Sequence, residues 1–493
     1  MASPDRFRPF ALRIGRYTRP ILTAAAFLLP IALIVRAITF WGHGIIDSEA
    51  MEFVLNYLQN RPFFAQIFDP QINDWGAYQA RELSYVFDLI DARVFAALLD
   101  HHLLLFVPLS GVLGLIALSA LYFWGARKIF ALNGVTASML LSLFLSCIVV
   151  QASTPILYRS SKIILSIALL AFLFYTFSLL RAEKRSVTAL RCTALFFLGL
   201  VMALSDRQGF YYLISATFIV LMLWLIAKAR GESIERGYLL VISVNAAAIG
   251  ATIFYNRIFA PQLIHALNGY WPNFFYQNLP SLLDPALPAK AWHLFQQQVS
   301  FFFGNVPFLV LASIIVIATA GIAWKWRSAI NRHHLTLLAV SVVSIVAIIG
   351  LLAAMIARHP ALYSIRDHSF WYYTLTVHVV ILFGISVWIN FLNPSSRARP
   401  FLYALIAILI ACNVQGYTRQ REIMTQPDGW FGGQYAHSQA LVAQFAADPP
   451  RREELQSRSS DLFLDDQAHF LENVELSYLH LTGATQSHPP GRP

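Results

Sequence analysis

The sequence predicts an all-α polytopic membrane protein with about eleven transmembrane helices, and three observations carry that reading. Of 493 residues, 57% are hydrophobic and only 13% charged, where a soluble domain carries about 25% charged residues. Apolar runs recur along the chain at about 20 residues, the length that a helix needs to cross a bilayer. Basic residues gather in alternate gaps between those runs, as the positive-inside rule requires. This composition excludes an ordinary water-soluble enzyme, and its low charge density excludes disorder.

The expected spans are roughly 20–41, 102–124, 134–151, 162–180, 191–204, 210–227, 237–257, 306–324, 335–357, 370–391 and 400–414. The fifth and sixth form a tight hairpin across Ser205-Asp206-Arg207-Gln208-Gly209. With the N-terminus cytoplasmic, the cytoplasmic segments hold 19 of the 36 basic residues, among them Arg6, Arg8, Arg13, Arg16 and Arg19. The outside loops hold ten across far more chain, so the net charge of +10 is mostly topology and no nucleic-acid partner is expected. The first run is read as an uncleaved span, because Arg36 interrupts it and no small-residue cleavage site follows. Cys147, Cys192 and Cys412 all lie in or beside apolar runs, which implies no disulfide framework.

Three regions result: a basic cytoplasmic N-terminus (1–19), a transmembrane domain (20–414) and a polar tail outside the membrane (415–493). Inside the domain, a long outside loop fills 42–101, and an aromatic-rich loop at 258–305 lies partly in the interface. Hydropathy shows no internal repeat, which weighs against a transporter built from repeated halves.

The acids point to the first loop. It holds Asp47, Glu49, Glu52, Asp69, Asp74, Glu82, Asp88, Asp91 and Asp100, nine of the 26 in the chain, whereas 102–414 holds six. Met51, Val54, Leu55 and Leu58 repeat at helical spacing and predict an amphipathic helix on the membrane surface. Leu83, Val86, Phe87, Ile90, Val94 and Leu98 predict a second, which presents Arg81, Tyr85 and Asp88 as one polar stripe. Asp69-Pro70 and Asn73-Asp74-Trp75-Gly76 between them are turn chemistry. Asp47-Ser48-Glu49 sits just past the first span. It reads equally as a helix N-cap and as a carboxylate held at the boundary to act as a base, and the two roles are compatible.

A first span ending at such an acidic pair, followed by a long outside loop with surface helices and a many-span body, resembles the GT-C glycosyltransferases. Gln79-Ala80-Arg81-Glu82-Leu83-Ser84-Tyr85 is similar to the Gly-Arg-Pro-Leu-type segment of bacterial polytopic glycosyltransferases, with Ala80 and Glu82 in place of Gly and Pro. The resemblance covers roughly residues 20–400. It implies a GT-C-like fold in a bacterial inner membrane, with a sugar passed from a polyprenyl-phosphate donor to a glycan, lipid or protein acceptor on the outer face. Asp47 matches the acid that activates the acceptor in that superfamily, and Glu49 is the second acid. Some enzymes of this architecture use a divalent cation, Mg or Mn, bridging first-loop acids and the donor phosphate. The sequence leaves that metal open.

Chemistry alone asks for the same parts: a base to deprotonate the attacking hydroxyl, and cations where charge develops on the leaving phosphate. Beside Asp74, Arg81, Glu82 and Tyr85 in the first loop, candidates for substrate binding are Arg159 and Lys162 at the outer junction of spans three and four. Asp206 and Arg207 at the outer turn of spans five and six join them, with Arg366, Asp367 and His368 after span nine. Arginine suits bidentate phosphate contacts. The competing reading is that Lys162 and Arg358 snorkel to headgroups, while Asp206 and Asp367 serve either directly or by holding Arg207 and Arg366. Aromatic residues around 270–276 and 370–373 are read first as an interfacial belt, and second as stacking surfaces for sugar or lipid.

No GxxxxGK[ST], HExxH or CxxC motif occurs, so neither a nucleotide-driven pump nor a common zinc site is indicated. Two other classes share the hydropathy. A transporter or lipid-linked-glycan flippase would place charges near the bilayer midplane, and a polysaccharide polymerase or ligase would carry its Arg and His residues in a large late loop.

Overall fold

The computed structural model describes residues 8–39, 62–70, 77–100, 109–153, 160–181, 189–229, 236–274, 283–313, 332–358, 368–392 and 399–424. Helix α1 (Arg8–Thr39) opens the chain, and a single turn, α2 (Phe63–Ile67), and a two-residue strand, β1 (Ala77–Tyr78), lead into α3 (Glu82–Asp100). Next come α4 (Leu109–Lys128), α5 (Gly134–Ser146), α6 (Ile148–Ser153), α7 (Ser161–Arg181), α8 (Ala189–Ser205) and α9 (Arg207–Ala229). Helix α10 (Arg236–Phe254) runs through a π-helical turn, Tyr255–Phe259, into α11 (Ala260–Asn268). Strand β2 (Asn273–Phe274), α12 (Leu287–Phe302), α13 (Arg332–Arg358), α14 (His368–Leu392) and α15 (Arg399–Met424) complete the described chain.

Six of these helical stretches are long and apolar enough to cross a membrane: Leu109–Lys128, Ser161–Leu180, Arg207–Ala229, Gly237–Asn268, Tyr372–Phe391 and Arg399–Arg419. Shorter apolar helices occur at Thr23–Ile38, Gly134–Ser146, Ala189–Ser205 and Ser341–Ala357. The chain is an all-α membrane protein. Lipid forces this choice, since a helix satisfies its backbone donors and acceptors within one segment.

Helix α7 is the hub, packed against α4, α8 and α14. Its neighbours approach closely because they supply glycine: a Cβ at Gly125 of α4 would overlap the ring of Phe174. At the α8–α9 hairpin, a Cβ at Gly209 would overlap the carbonyl oxygen of Met202, so the turn admits no larger residue. Phe130, Phe174, Phe177 and Phe383 fill the centre with ring centroids 5.0–6.1 Å apart.

Four expectations change. The single span expected over 134–151 is two helices, α5 and α6, broken at Cys147, whose ψ of 148° leaves the helical region. The five-residue turn of the hairpin shrinks to Asp206, because Arg207, Gln208 and Gly209 already belong to α9. The seventh helix does not stop at 257: the π turn carries it to Asn268, and Pro261 is accommodated in the first turn of α11. The tail expected from 415 begins later, since α15 continues to Met424. The surface helix expected near 51–58 lies outside the described residues.

Candidate functional site

The second first-loop helix exists as α3, and its contacts define the site. It packs against α4, α7 and α8, and its polar side chains face those neighbours. Asp88 is buried, and its Oδ1 accepts the backbone N–H of Ser160 at 2.7 Å, just before α7 begins. One turn later Asp91, also buried, accepts the N–H of Ser110 at 2.8 Å in the first turn of α4. Each aspartate thus satisfies an orphan donor at the start of an apolar helix, where the dipole favours a negative charge. Serines complete the joint: Ser84 donates to the carbonyl of Ser205 at 2.5 Å, and Ser160 donates to the carbonyl of Ser84 at 3.0 Å. Burial pushes the Asp91 carboxyl up to about 7, against the opposing pull of its bonds from Ser110.

Asp206, between α8 and α9, holds the densest cluster of charge. Lys162 Nζ lies 2.8 Å from its Oδ1 and Arg81 Nε 3.1 Å from its Oδ2, with all three side chains 4% exposed or less. Its Oδ1 also accepts the N–H of Gln208 at 2.8 Å, which makes it the cap of α9. Burial alone would raise the Asp206 carboxyl, but the charges of Lys162 and Arg81 outweigh it and hold the group well below the usual carboxylate range. Lys162 lies 4.5 Å from the ring centroid of Tyr373 and 5.5 Å from that of Tyr372, whose hydroxyl meets Ser161 Oγ at 2.5 Å. A neutral chain continues inward, as Tyr212 donates to Thr376 at 2.9 Å and Thr376 donates to Gln208 at 3.2 Å.

Beside this knot is a cavity of about 250 Å³. Tyr78 and Ala80 from the first loop, Arg207 and Phe210 from α9, and Asn256 and Arg257 from the π turn contribute to its walls. A parallel bridge pairs Ala77 with Asn273 and Tyr78 with Phe274, which closes one side. Arg207 donates through Nη2 to the carbonyl of Tyr78, and Arg257 lies over Phe274 at 5.1 Å. The Tyr78 hydroxyl donates to Asn256 Oδ1 at 3.3 Å. Burial, and then the negative charge of Glu82, raise that hydroxyl well above its usual value.

The structure therefore joins Arg81, Glu82, Tyr85, Lys162, Asp206 and Arg207 at one end of the bundle, from segments far apart in sequence. It corrects three readings of them. Lys162 does not snorkel; it is fully buried against Asp206. Asp206 holds Lys162 and Arg81, whereas Arg207 turns to β1. The stripe of Arg81, Tyr85 and Asp88 faces protein rather than water, each residue being buried. Tyr372 is likewise buried, so it belongs to the Lys162 pocket and not to a surface belt. Asp47, Glu49, Asp74, Arg159, Arg366 and Asp367 lie outside the described residues, and His368 is described only as the first residue of α14.

Sequence reasoning missed Asn256 and Arg257, the sharpest polar pair in an otherwise apolar run; a charge inside a membrane helix was the available signal. Among the described residues no three His, Cys, Asp or Glu side chains meet as a metal cluster. Asp69 accepts from Tyr270 at 2.6 Å, and Asp88 and Asp91 cap helices. These three first-loop acids, already spent on neutral donors, do not fit a bridging cation. Comparison with family models, with curated proteins and with solved structures gives no match to this chain.

Proposed function

We propose that this protein is a membrane glycosyltransferase, of GT-C-like architecture, that passes a sugar from a polyprenyl-phosphate donor to an acceptor at the extracytoplasmic face. The observation that carries the reading is the docking of α3 through Arg81, Asp88 and Asp91 onto the helix ends that bear Lys162, Asp206 and Arg207. The acid-rich loop is thereby tied to the end of the bundle that holds the cations. A transferase of this kind needs that arrangement, a base on one side of the reacting carbon and positive charge on the other.

In the proposed reaction a first-loop carboxylate, Asp47 with Glu49 as second acid, takes the proton of an acceptor hydroxyl. The hydroxyl oxygen bonds to the anomeric carbon, the bond from that carbon to the phosphate oxygen breaks, and the polyprenyl phosphate leaves with the electron pair. Lys162 and Arg81 are neutralised by Asp206 and serve as positioning residues. The clustering of charge at one end of the helices favours this over a transporter, which needs polar groups along the membrane path.

The test uses the purified full chain in lipid, radiolabelled polyprenyl-phosphate sugars and crude envelope acceptor. Transfer by the wild type, lost in Asp47→Asn with folding intact, supports the proposal. Transfer retained in Asp47→Asn moves the base to Glu49 or Asp74, and no transfer from any donor overturns it.

A further inference from the structure

The cavity between β1, α9 and the π turn is not used by the reaction as written, and its composition is specific enough to name a ligand class. We propose that it binds a phosphate carried by a lipid, which enters sideways from the bilayer.

Charge comes first. Two guanidiniums from different helices, Arg207 and Arg257, line a space of about 250 Å³, and no carboxylate is among its lining residues. A half-enclosed volume with two fixed cations selects an anion, and planar guanidinium donors match the oxygens of a phosphate. Both groups are aimed by contacts to the first and third loops: Arg207 by the Tyr78 carbonyl, Arg257 by the Phe274 ring. Tyr78 and Asn256 add a hydroxyl and an amide at the same wall.

Backbone geometry points the same way. Asn256 and Arg257 sit in the π-helical turn Tyr255–Phe259, which interrupts a stretch otherwise apolar enough to cross a membrane. A π turn weakens local hydrogen bonding and re-aims side chains, which is why such turns gather at functional sites.

The entry side follows from exposure. Ile253 lines the cavity and is itself 49% exposed, with Phe254 at 57% and Ile258 at 46% on the same stretch. A water-facing mouth would carry polar residues there, whereas this rim is an apolar surface suited to acyl or prenyl chains. A ligand with a charged head and an apolar tail satisfies the arginines and the rim together. Only the choice of an isoprenoid over an ordinary phospholipid rests on the function proposed above; the phosphate-and-lipid chemistry does not.

The experiment is equilibrium binding of radiolabelled prenyl monophosphate to the purified full chain in a neutral detergent. Competitors are the matching prenyl alcohol, phosphatidylglycerol and inorganic phosphate. The wild type is expected to bind, with affinity reduced tenfold or more in Arg257→Gln and in Arg207→Gln and largely restored in Arg257→Lys. Lys290→Gln, a distant ion-paired lysine, is expected to bind as wild type does. Competition by phosphatidylglycerol as strong as by unlabelled prenyl phosphate makes this a general phospholipid site. Its failure to compete identifies the isoprenoid carrier, and either result upholds a lipid phosphate. The proposal is overturned by equal competition from the prenyl alcohol, by equal competition from inorganic phosphate, or by wild-type affinity in Arg257→Gln. Because binding is read without transfer, a chain that binds prenyl phosphate but transfers no sugar refutes the enzyme and leaves this site standing.

Discussion

Replacing Asp206 by Asn keeps the side-chain volume and the bond from the Gln208 N–H, but removes the only charge that Lys162 and Arg81 are shown to share. Lys162 is fully buried and Arg81 is 4% exposed, so water cannot take over from the lost carboxylate. Breaking a buried pair by deleting one partner costs about 3–5 kcal/mol, because an uncompensated charge is left behind. Against a total stability of about 5–15 kcal/mol, that loss is a third or more for many proteins. The assay is unfolding of the purified chain in neutral detergent for Asp206→Asn, Lys162→Met and the double variant. The double variant should cost less than the sum of the singles, with a coupling of about 2 kcal/mol, since each single change strands what the other removes. Acidity adds a check. A carboxyl held below its unfolded value of about 3.8 contributes stability above that pH and loses it only as pH falls further, so these costs should be flat from pH 5 to 8. Stability of Asp206→Asn within 0.5 kcal/mol of wild type, or strict additivity, would refute the claim that this knot holds the first loop to the bundle.

Asp91 has the opposite sign. Its folded value of about 7 lies above the usual 3.8, so the folded state holds the extra proton between those values. Stability should fall as pH rises from 4 to 7, by on the order of 4 kcal/mol, and level off above. Asp91→Asn should abolish that slope, which unfolding at pH 5 and pH 8 will read; equal slopes in variant and wild type would sink the assignment. Gly209→Ala drives a methyl into the Met202 carbonyl and should prevent folding of the hairpin. Gly250→Ala, where a Cβ meets nothing within 4 Å, should be tolerated or gain up to about 1 kcal/mol of helix propensity. Thermal unfolding of the pair distinguishes a packing effect from a general intolerance of alanine in these helices.

What could be read from the sequence was local. The second loop helix, expected over 83–98, is observed as Glu82–Asp100 because its apolar repeat is strong and uninterrupted. Ala80 stands where the resembled segment carries Gly, and its φ of 54° is the left-handed conformation that glycine adopts without strain. That likeness is a backbone likeness although the residue differs. Partner choice was not legible. Adjacency in sequence suggested that Asp206 serves Arg207, but Asp206 caps α9 while Arg207 is already inside it, and neighbours across a helix start point apart. The true partners, Arg81 and Lys162, arrive from other segments, and no local pattern encodes that meeting.

Helix α3 shows why the polar stripe was misplaced. On a water-facing helix the apolar side turns inward, and the stripe of Arg81, Tyr85 and Asp88 would be the exposed one. Here Arg81, Ser84, Asp88 and Asp91 are buried, while Ile90 is 45% exposed and Leu83, Val86 and Phe87 are half-buried. The helix is arranged inside out. Lipid offers no hydrogen bonds, so beside a bilayer the apolar face is the cheaper one to leave outside, and the polar face must find partners in protein. The partners it finds are the unsatisfied N–H groups that every apolar helix presents at its start. The acids of the described first loop are therefore not a reserve of catalytic groups. Asp88 and Asp91 are consumed in holding α3 to α7 and α4, and this narrows the search for a base to the acids that α3 does not use, with Asp47 the first to test.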